Sequence, residues 1–344
     1  MSDKHLAPEQ RFQNQLLPGE LQRAGQAASR AAAKQRFRSY QQRRAEETLR
    51  RQKADLGLFK EFLLSFNLET GDLFNDPVAW SGITWGLIEA FVKWQVDKGY
   101  AVPTINVRLS TLKTYSRLAM QAGTIPPQEY ALIRSIQGFS QQEKRRIDSR
   151  RVQSRVGLKK ASPVLITPQQ AVLLKNQPET AQGRRDALLI CLLLDHGLRV
   201  GELAGLAVED LDLNTGILHF FRPKVGKDQT HRLSRDTLRV AQAYYNLGDM
   251  PQQGPLLRRS HKDGSLGKQG MTERAITQRV KDLGAAIGLF GLSAHDCRHY
   301  WATSAARHGT DPFVLQEAGG WSSLAMPRRY VQENEIANEG IQLD

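Results

Sequence analysis

Apolar side chains recur at intervals of three and four residues in the N-terminal half of the chain, from residue 55 onward. The recurrence runs through three stretches, LGLFKEFLLSF, TWGLIEAFVKWQVDKGY and TINVRLSTLKTYSRLAMQAG. This period places apolar side chains on one face of an α-helix, so it predicts three or four amphipathic helices that pack together over residues 55–140. The buried face of the third stretch is predicted to contain Ile105, Leu109, Leu112 and Leu118.

Large apolar residues are scarce on both sides of this helical domain. Residues 20–54 are rich in Ala, Gln and Arg, which suits a helix that is solvated or lies on an anionic surface. We therefore expect residues 1–54 to form a basic helical arm that does not join a core. Residues 141–163 contain many basic residues, few apolar ones and a closing proline, which predicts an interdomain linker.

A second domain is predicted over residues 164–344, and its first helix begins at a recognisable cap. Thr167 suits the N-cap, Pro168 suits the first helical position, and Gln170 completes a capping box. The next apolar run, RRDALLICLLLDHGLRVGELAGL, is broken at Gly197 and predicts two successive helices.

Short strands are expected only around one turn of this second domain. LDLNTGILHFF and THRLS have strand-like composition, and RPKVGKDQ is interpreted as the tip of a hairpin between them. Everything else in the domain is expected to be helical. The predicted fold class is therefore mainly α with a small antiparallel β-sheet, in a helical domain followed by a mixed α/β domain.

The chain carries a strong excess of positive charge, with a formal net charge of +13 and a pI near 9.9. An excess on this scale usually faces a polyanion, so nucleic acid is favoured as the partner over a protein that charge merely keeps in solution. No apolar run approaches the roughly 20 residues that cross a bilayer, and the N-terminus lacks the apolar core of a secretory signal. We expect a cytoplasmic or nucleoid-associated protein of a prokaryotic cell, with no membrane partner.

The two cysteines do not suggest a disulfide framework or a cysteine metal site. Cys191 lies inside the apolar run LLICLLL, and Cys297 lies in HDCRH. Their positions show none of the spacings that zinc sites or paired cysteines use. We interpret both as ordinary thiols.

Several basic residues are candidates for contacts with DNA phosphates. Arg108, Lys113 and Arg117 fall outside the apolar face of the third helix. A solvated basic face on a helical bundle explains these three residues equally well. The linker contains Arg151 and Arg155, and because the arm is also basic we favour a strap across DNA over a linker that self-repulsion merely extends.

Two pairs of polar residues are spaced to act together. Arg199 follows a buried-looking helix directly and needs an anionic partner, which Glu202 can supply from one helical turn away, although a purely structural ion pair has the same pattern. His295 and Arg298 also stand three residues apart, which places both on one face of a helix. There the imidazole could carry a proton beside a guanidinium that binds a phosphate. The other two histidines of this segment are assigned to packing or surface positions: His299 and His308.

Near the C-terminus, the stretch AGGWSSLAMPRRYVQ combines a double glycine with Trp321 and Tyr330. Gly319 and Gly320 allow a tight backbone turn, and the indole N–H of Trp321 can only donate a hydrogen bond. Taken singly, the tryptophan could fill a core and the tyrosine could lie on an amphipathic helix. Their order after the arginine and histidine motifs favours a joint function.

The order of these motifs resembles the tyrosine recombinase family, also called phage integrases. HGLRVGEL is similar to the family's first catalytic segment, HDCRHYWAT to its second and GGWSSLAMPRRY to its third. GYAVPTINVRLSTLKTYSRLAMQAG resembles the helical core-binding domain, so the resemblance covers about residues 55–335. Most members have His where this chain has Trp321, and a Cre-like subset has Trp, which removes a proton-carrying role from that position.

The resemblance implies a site-specific recombinase or integrase that cleaves and rejoins DNA through a 3′-phosphotyrosine bond, without metal, ATP or another cofactor. Tyr330 would be the nucleophile, and Arg199 and Arg298 would clamp the phosphate. Trp321 would donate a hydrogen bond or support the pocket. Glu202 would orient Arg199.

The same resemblance implies two groups that handle protons. His295 would manage protons on the tyrosine side. The leaving oxygen would receive its proton from Lys227 of the hairpin, with Lys224 as the reserve candidate. A simple phosphate contact by either lysine is the alternative.

The family also implies an assembly. Exchange between two duplexes requires four active sites, so a homotetramer on two DNA recombination sites is expected, and the need for accessory DNA-bending proteins stays open. The tail after Tyr330 could dock on a neighbouring protomer or fray. Two other function classes fit parts of the sequence: a type IB topoisomerase and a DNA-binding architectural protein without catalysis. The helical N-terminal domain and the tail argue against the first, and the complete set of matched residues argues against the second.

Overall fold

The computed structural model describes residues 18–149 and 163–332, and the chain divides into two units, Met1–Lys159 and Lys160–Asp344. Each unit has its own hydrophobic core. The predicted fold class is confirmed, since the described residues are mainly helical with small antiparallel sheets. Within the described segments, no helix has both the length and the apolar character needed to span a membrane.

In the described part of the first unit, the regular elements are all helices. Its α-helices are α1 (Pro18–Lys34), α2 (Arg36–Gln41), α3 (Glu46–Leu64), α4 (Trp85–Asp97), α5 (Val102–Gln121), α6 (Pro127–Ser135) and α7 (Gln141–Ser149). A short 3-10 helix, Pro77–Trp80, precedes α4. The apolar face predicted for α5 is buried, and the ring of Tyr115, on the same helix, stacks on that of Trp80 at a centroid distance of 6.3 Å.

The predicted boundary between arm and domain at residues 54 and 55 is wrong, because α3 runs through it without a break. Asp55 is itself buried in the middle of this helix. Phe37 of α2 is also buried, and its ring meets that of Tyr115 at a centroid distance of 5.4 Å. The core therefore begins before residue 55, and α1 is the part that stays exposed along nearly its whole length.

The predicted linker, residues 141–163, is helical where it begins. α7 occupies its first nine residues, and none of their side chains is buried. A polar sequence can form an exposed helix without a core face, which is why composition alone suggested a linker. Arg151 and Arg155 lie outside the described residues, as does the tail after residue 332.

In the described part of the second unit, several helices pack around one buried helix. Its helices are α8 (Pro168–Lys175), α9 (Ala181–His196), α10 (Val200–Gly205), α11 (Arg235–Asn246), α12 (Glu273–Ala286), α13 (Ala294–Arg307), α14 (Pro312–Gly319) and α15 (Ala325–Gln332). Nearly all of α9 is buried, and α8, α11 and α13 pack against it. The capping box predicted at Thr167 and Gln170 is confirmed.

Two antiparallel sheets complete this unit. The first has the order β1 (Leu211–Asp212), β2 (Ile217–Arg222) and β3 (Lys227–Arg232). Arg222 pairs with Lys227, so the hairpin tip is only residues 223–226 and is shorter than predicted.

The second sheet was not predicted, and it corrects the expectation that the rest of the domain is helical. It pairs β4 (Arg258–Ser260) with β5 (Leu266–Gly270). The underlying sequence, RRSHKDGSLGKQG, is polar and offers no alternating apolar face. Its Asp-Gly pair was the available signal for a hairpin turn.

Candidate active site

The first element of the site is the start of α10. The chain leaves α9 through Gly197, whose φ of 59° lies in the left-handed region that glycine tolerates. Arg199 is the N-cap of α10, and its backbone N–H donates to Glu202 Oε2 at 2.8 Å. Its Nη1 donates to Glu202 Oε1 at 2.8 Å. One carboxylate therefore holds both the backbone and the guanidinium of Arg199, as the spacing of the two residues suggested.

Arg298 of α13 is 4% exposed. Its guanidinium donates to backbone carbonyl oxygens, including that of Gly319, and lies 4.7 Å from the centre of the Trp321 ring. Burial, followed by the like charges of Arg199 and Arg222, lowers the pKa of Arg298 to about 9. An anion placed beside this guanidinium would offset the repulsion from Arg199 and Arg222.

The turn after α14 carries Trp321 to this arginine. α14 ends at Gly319, and Gly320 follows with φ 57°. A Cβ at Gly319 would lie 2.1 Å from Cζ3 of Trp321. The tryptophan ring thus packs directly on the glycine backbone, which explains why this position has no side chain.

Tyr330 of α15 is 2% exposed. Its ring centre lies 5.8 Å from that of Trp321 and 5.0 Å from that of His299, which it meets edge to face. The contacts from arginine to tryptophan to tyrosine are therefore continuous. The predicted site residues that the structure brings into one connected group are Arg199, Glu202, Arg298, Trp321 and Tyr330.

The two histidines of α13 lie in different environments. His295 is exposed, whereas Arg298 is buried, so the two side chains do not point into one environment. The long arginine stem reaches inward to backbone carbonyl groups, and the shorter imidazole stays at the surface. His299 does pack, but it packs against Tyr330, which makes it the imidazole in contact with the predicted nucleophile.

A cavity of about 550 Å³ lies beside the hairpin and the turn after α14. Its lining includes Arg199, Lys224, Lys227 and Trp321. Lys227 is the first residue of β3 and does not belong to the tip, and its Nζ forms an ion pair with Glu317 Oε1. Both candidate lysines therefore border the cavity, and Glu317 accepts from one of the three N–H donors of Lys227.

Arg222, at the end of β2, is a part of the site that sequence reasoning missed. Its side chain is 0% exposed, and its Nη1 lies 3.2 Å from each carboxylate oxygen of Glu202. The available signal was the alternation in β2, which turns Arg222 to the same side as Leu218 and Phe220. We call Arg199, Arg222 and Arg298 the arginine cluster.

The three α5 residues predicted to contact DNA differ in their placement. Arg108 lies 3.8 Å from the buried carboxylate of Asp55 and stacks on the ring of Tyr100. Lys113 donates to two backbone carbonyl groups at the end of α6. Arg117 is exposed. Contacts within the first unit thus hold both Arg108 and Lys113, and the assignment of the three residues to DNA stays a prediction.

Known proteins resemble the chain in sequence and in fold. The tyrosine recombinase XerD of Neisseria meningitidis serogroup B is 29% identical over 188 residues, which are 52% of this chain and 62% of XerD, so this match spans less than two thirds of that relative. The tyrosine recombinase XerD of Proteus mirabilis is 27% identical over 280 residues, which are 79% of this chain and 80% of the relative.

Two solved structures share the fold at low sequence identity. A lambda integrase dimer bound to a COC′ core site has a TM-score of 0.60 at 15% identity, over 90% of this chain and 96% of that one. The Tn1549 transposon integrase in complex with a circular intermediate DNA has a TM-score of 0.57 at 17% identity, over 87% and 94%. The model of the phage integrase family matches residues 165–336, which are half of the chain and contain the arginine cluster, Trp321 and Tyr330. On these grounds the chain belongs to the phage integrase family of tyrosine recombinases.

Proposed function

We propose that this protein is a site-specific DNA recombinase that cleaves and rejoins DNA through a covalent 3′-phosphotyrosine bond at Tyr330. The observation that carries the proposal is the contact of the Tyr330 ring with Trp321, which in turn lies against Arg298 of the arginine cluster. A phenol beside several guanidinium groups fits attack on a phosphodiester. The relatives named above are recombinases and integrases, which does not favour the topoisomerase alternative.

In the proposed cleavage step, Tyr330 Oη forms a bond to the phosphorus and loses its proton. The bond from phosphorus to the 5′ oxygen breaks, and that oxygen leaves as a hydroxyl group after it takes up a proton. Rejoining is the reverse reaction with the 5′ hydroxyl of another strand as the nucleophile. The number of phosphoester bonds is conserved at each step, so the reaction needs no external energy source.

The arginine cluster would stabilise the charge that develops on the non-bridging oxygens. The side chain of Arg199 keeps 22% of its surface exposed and borders the cavity, so it can bind a phosphate that enters there. Arg298 would be the second clamp. Trp321 would supply an N–H donor or support the pocket, as in the Cre-like subset that the sequence resembles.

Two groups would manage protons in the proposed mechanism. Lys227 or Lys224 would protonate the leaving 5′ oxygen from the hairpin side of the cavity. On the tyrosine side, His295 is the residue that the resemblance implies, and His299 is the residue whose ring contacts that of Tyr330. Replacing each histidine singly by Gln and comparing cleavage rates separates the two.

The proposed partner is double-stranded DNA. The protein would bind it as a homotetramer on two recombination sites. The integrase structures with the same fold contain DNA, which supports the choice of partner. The positive net charge of +13 supports it independently. Crosslinking on a DNA duplex that carries the site, followed by mass measurement, tests the assembly.

Capture of covalent adducts tests the cleavage chemistry. Sheared genomic DNA of the host is incubated with the protein, adducts are isolated under denaturing conditions, and the attached DNA ends are sequenced. Wild-type protein should give adducts at a recurring sequence, and Tyr330→Phe should give none while it retains binding to that sequence. Adducts that persist in Tyr330→Phe, or a wild type that forms none, would contradict the proposal.

A further inference from the structure

The side chain of Arg222 donates hydrogen bonds to several parts of the candidate active site. Its Nη1 donates hydrogen bonds to both carboxylate oxygens of Glu202, the residue that also accepts from Arg199. Its Nη2 donates to the carbonyl oxygen of Ala318 at 2.6 Å, and its Nη1 lies 3.3 Å from that of Gly319. Ala318 and Gly319 form the end of α14, from which the chain turns to Trp321.

The remaining donor of Arg222 reaches the hairpin. Its Nε donates to Oε1 of Gln229 on β3. Nε2 of the same Gln229 donates to the carbonyl oxygen of Glu317 at 2.7 Å, and Lys227 pairs with the Glu317 side chain. The hairpin that carries the two candidate lysines is thus tied to the end of α14 through Arg222 and its partner Gln229.

Direct contact with DNA does not explain why an arginine occupies position 222. Its side chain is 0% exposed, whereas that of Arg199 is 22% exposed. Stability is also a weak explanation, because a buried ion pair often contributes no more to the free energy of unfolding than apolar residues of similar volume. What distinguishes Arg222 is that one planar guanidinium connects three separate elements, α10, β3 and α14.

We propose that Arg222 is a positioning residue that fixes the hairpin lysine relative to Arg199 and Trp321, so that the leaving oxygen is protonated in register with phosphate binding. This inference rests on the proposed strand cleavage. It adds to that function a residue that touches neither the DNA nor the reacting atoms and acts through the hairpin. Since the guanidinium holds the elements by geometry and not by charge alone, a lysine at this position should not replace it.

A substrate that needs no proton on its leaving group separates this role from a general structural one. The probe is a duplex of the captured site with a sulfur atom in place of the bridging 5′ oxygen, compared with the ordinary duplex. For Arg222→Met and Arg222→Lys we expect cleavage of the ordinary duplex to fall about 10- to 100-fold, the range that a misplacement of about 1 Å produces. Cleavage of the sulfur duplex should fall less than about threefold, because a thiolate leaves without a general acid.

A milder variant keeps the test decisive if Arg222 variants do not fold. Gln229→Met removes the side-chain link between Arg222 and β3 without changing charge, and it should show the same selective loss on the ordinary duplex. Thr230→Val is the matched control, because Thr230 is the next residue of β3 and its side chain is exposed. It should cleave both duplexes at the wild-type rate.

The outcomes for this inference and for the proposed function are distinct. If wild type cleaves both duplexes and the variants lose equal rate on both, or lose none on either, the positioning role of Arg222 is overturned. If wild type itself forms no adduct with either duplex, the proposed function fails. A selective loss in Arg222→Met or Gln229→Met that is absent from Thr230→Val supports the inference.

Discussion

Replacing Gly319 with alanine should move Trp321 out of the site, and the size of the effect can be worked out from the structure. The added Cβ would lie 2.1 Å from Cζ3, 2.3 Å from Cε3 and 2.7 Å from Cη2 of the indole. No carbon atom tolerates such distances, so either the ring or the end of α14 has to shift. The carbonyl of Gly319 accepts hydrogen bonds from all members of the arginine cluster, so a backbone shift disturbs these too.

A matched control removes the general effect of alanine in a helix. Gly205 is the last residue of α10, as Gly319 is of α14, and a Cβ at Gly205 would meet nothing within 4 Å. Gly205→Ala should raise the free energy of unfolding by up to about 1 kcal/mol through helix propensity. Gly319→Ala gains the same term but loses about 1–3 kcal/mol to overpacking, so the two variants should differ by about 1–3 kcal/mol.

Urea unfolding of both variants measures the difference in stability, and the rate of covalent adduct formation measures the effect on the site. We expect Gly319→Ala to form adducts about 100-fold more slowly, because displacement by about 1 Å has effects of this size in enzyme sites. Gly205→Ala should react at the wild-type rate. If Gly319→Ala were as stable as Gly205→Ala and cleaved DNA normally, the packing of Trp321 on Gly319 would play no part in the reaction.

Three further predictions concern protons and thiols. Lys227→Ala should slow cleavage of an ordinary duplex far more than cleavage of a duplex with a 5′ sulfur leaving group, because the sulfur leaves without a proton donor. If only Lys224→Ala showed this pattern, Lys224 would be the proton donor instead. Burial lowers the pKa of His196 to about 4, so between pH 4 and pH 6.5 the unfolded state binds a proton that the folded state does not. In this range the free energy of unfolding should therefore fall by up to about 1.4 kcal/mol for each pH unit of acidification. If His196→Gln showed the same dependence of unfolding free energy on pH as wild type, this prediction would be contradicted. Cys191 and Cys297 are buried, and burial raises the pKa of Cys191 to about 12, so iodoacetamide should label neither thiol until the protein unfolds; rapid labelling of the native protein would argue against this burial.

Features that depend on neighbours in the sequence could be predicted. The capping box at Thr167 needs only a side chain and a backbone group three residues apart, and the pairing of Arg199 with Glu202 has the same short range. The amphipathic helices also follow from local periodicity. The nucleophile assignment to Tyr330 came from the order of motifs along the chain, not from a local pattern.

Features that depend on distant partners could not be predicted in this way. The buried environment of Arg222 is completed by Ala318, which is 96 residues away. An isolated arginine after two phenylalanines gives no indication of such a partner. The contact of His299 with Tyr330 likewise depends on how α15 packs against α13, whereas the His-x-x-Arg spacing drew attention to His295.

The arginine cluster concentrates more positive charge than its hydrogen-bonded carboxylate can balance. In the described part of the chain, Glu202 is the carboxylate that bonds to Arg199 and Arg222, and the other acceptors around the cluster are neutral groups, namely backbone carbonyls and the side-chain amide of Gln229. Burial, and after it the like charges of Arg199 and Arg222, lowers the pKa of Arg298. A phosphate would replace the contacts of Arg199 to the neutral carbonyl oxygens of the Gly319–Gly320 turn, at 3.0 and 3.3 Å, with hydrogen bonds to an anion. Because an entering anion would also offset the repulsion among the three guanidinium groups, we expect the site to prefer a phosphate group to water before any chemical step takes place.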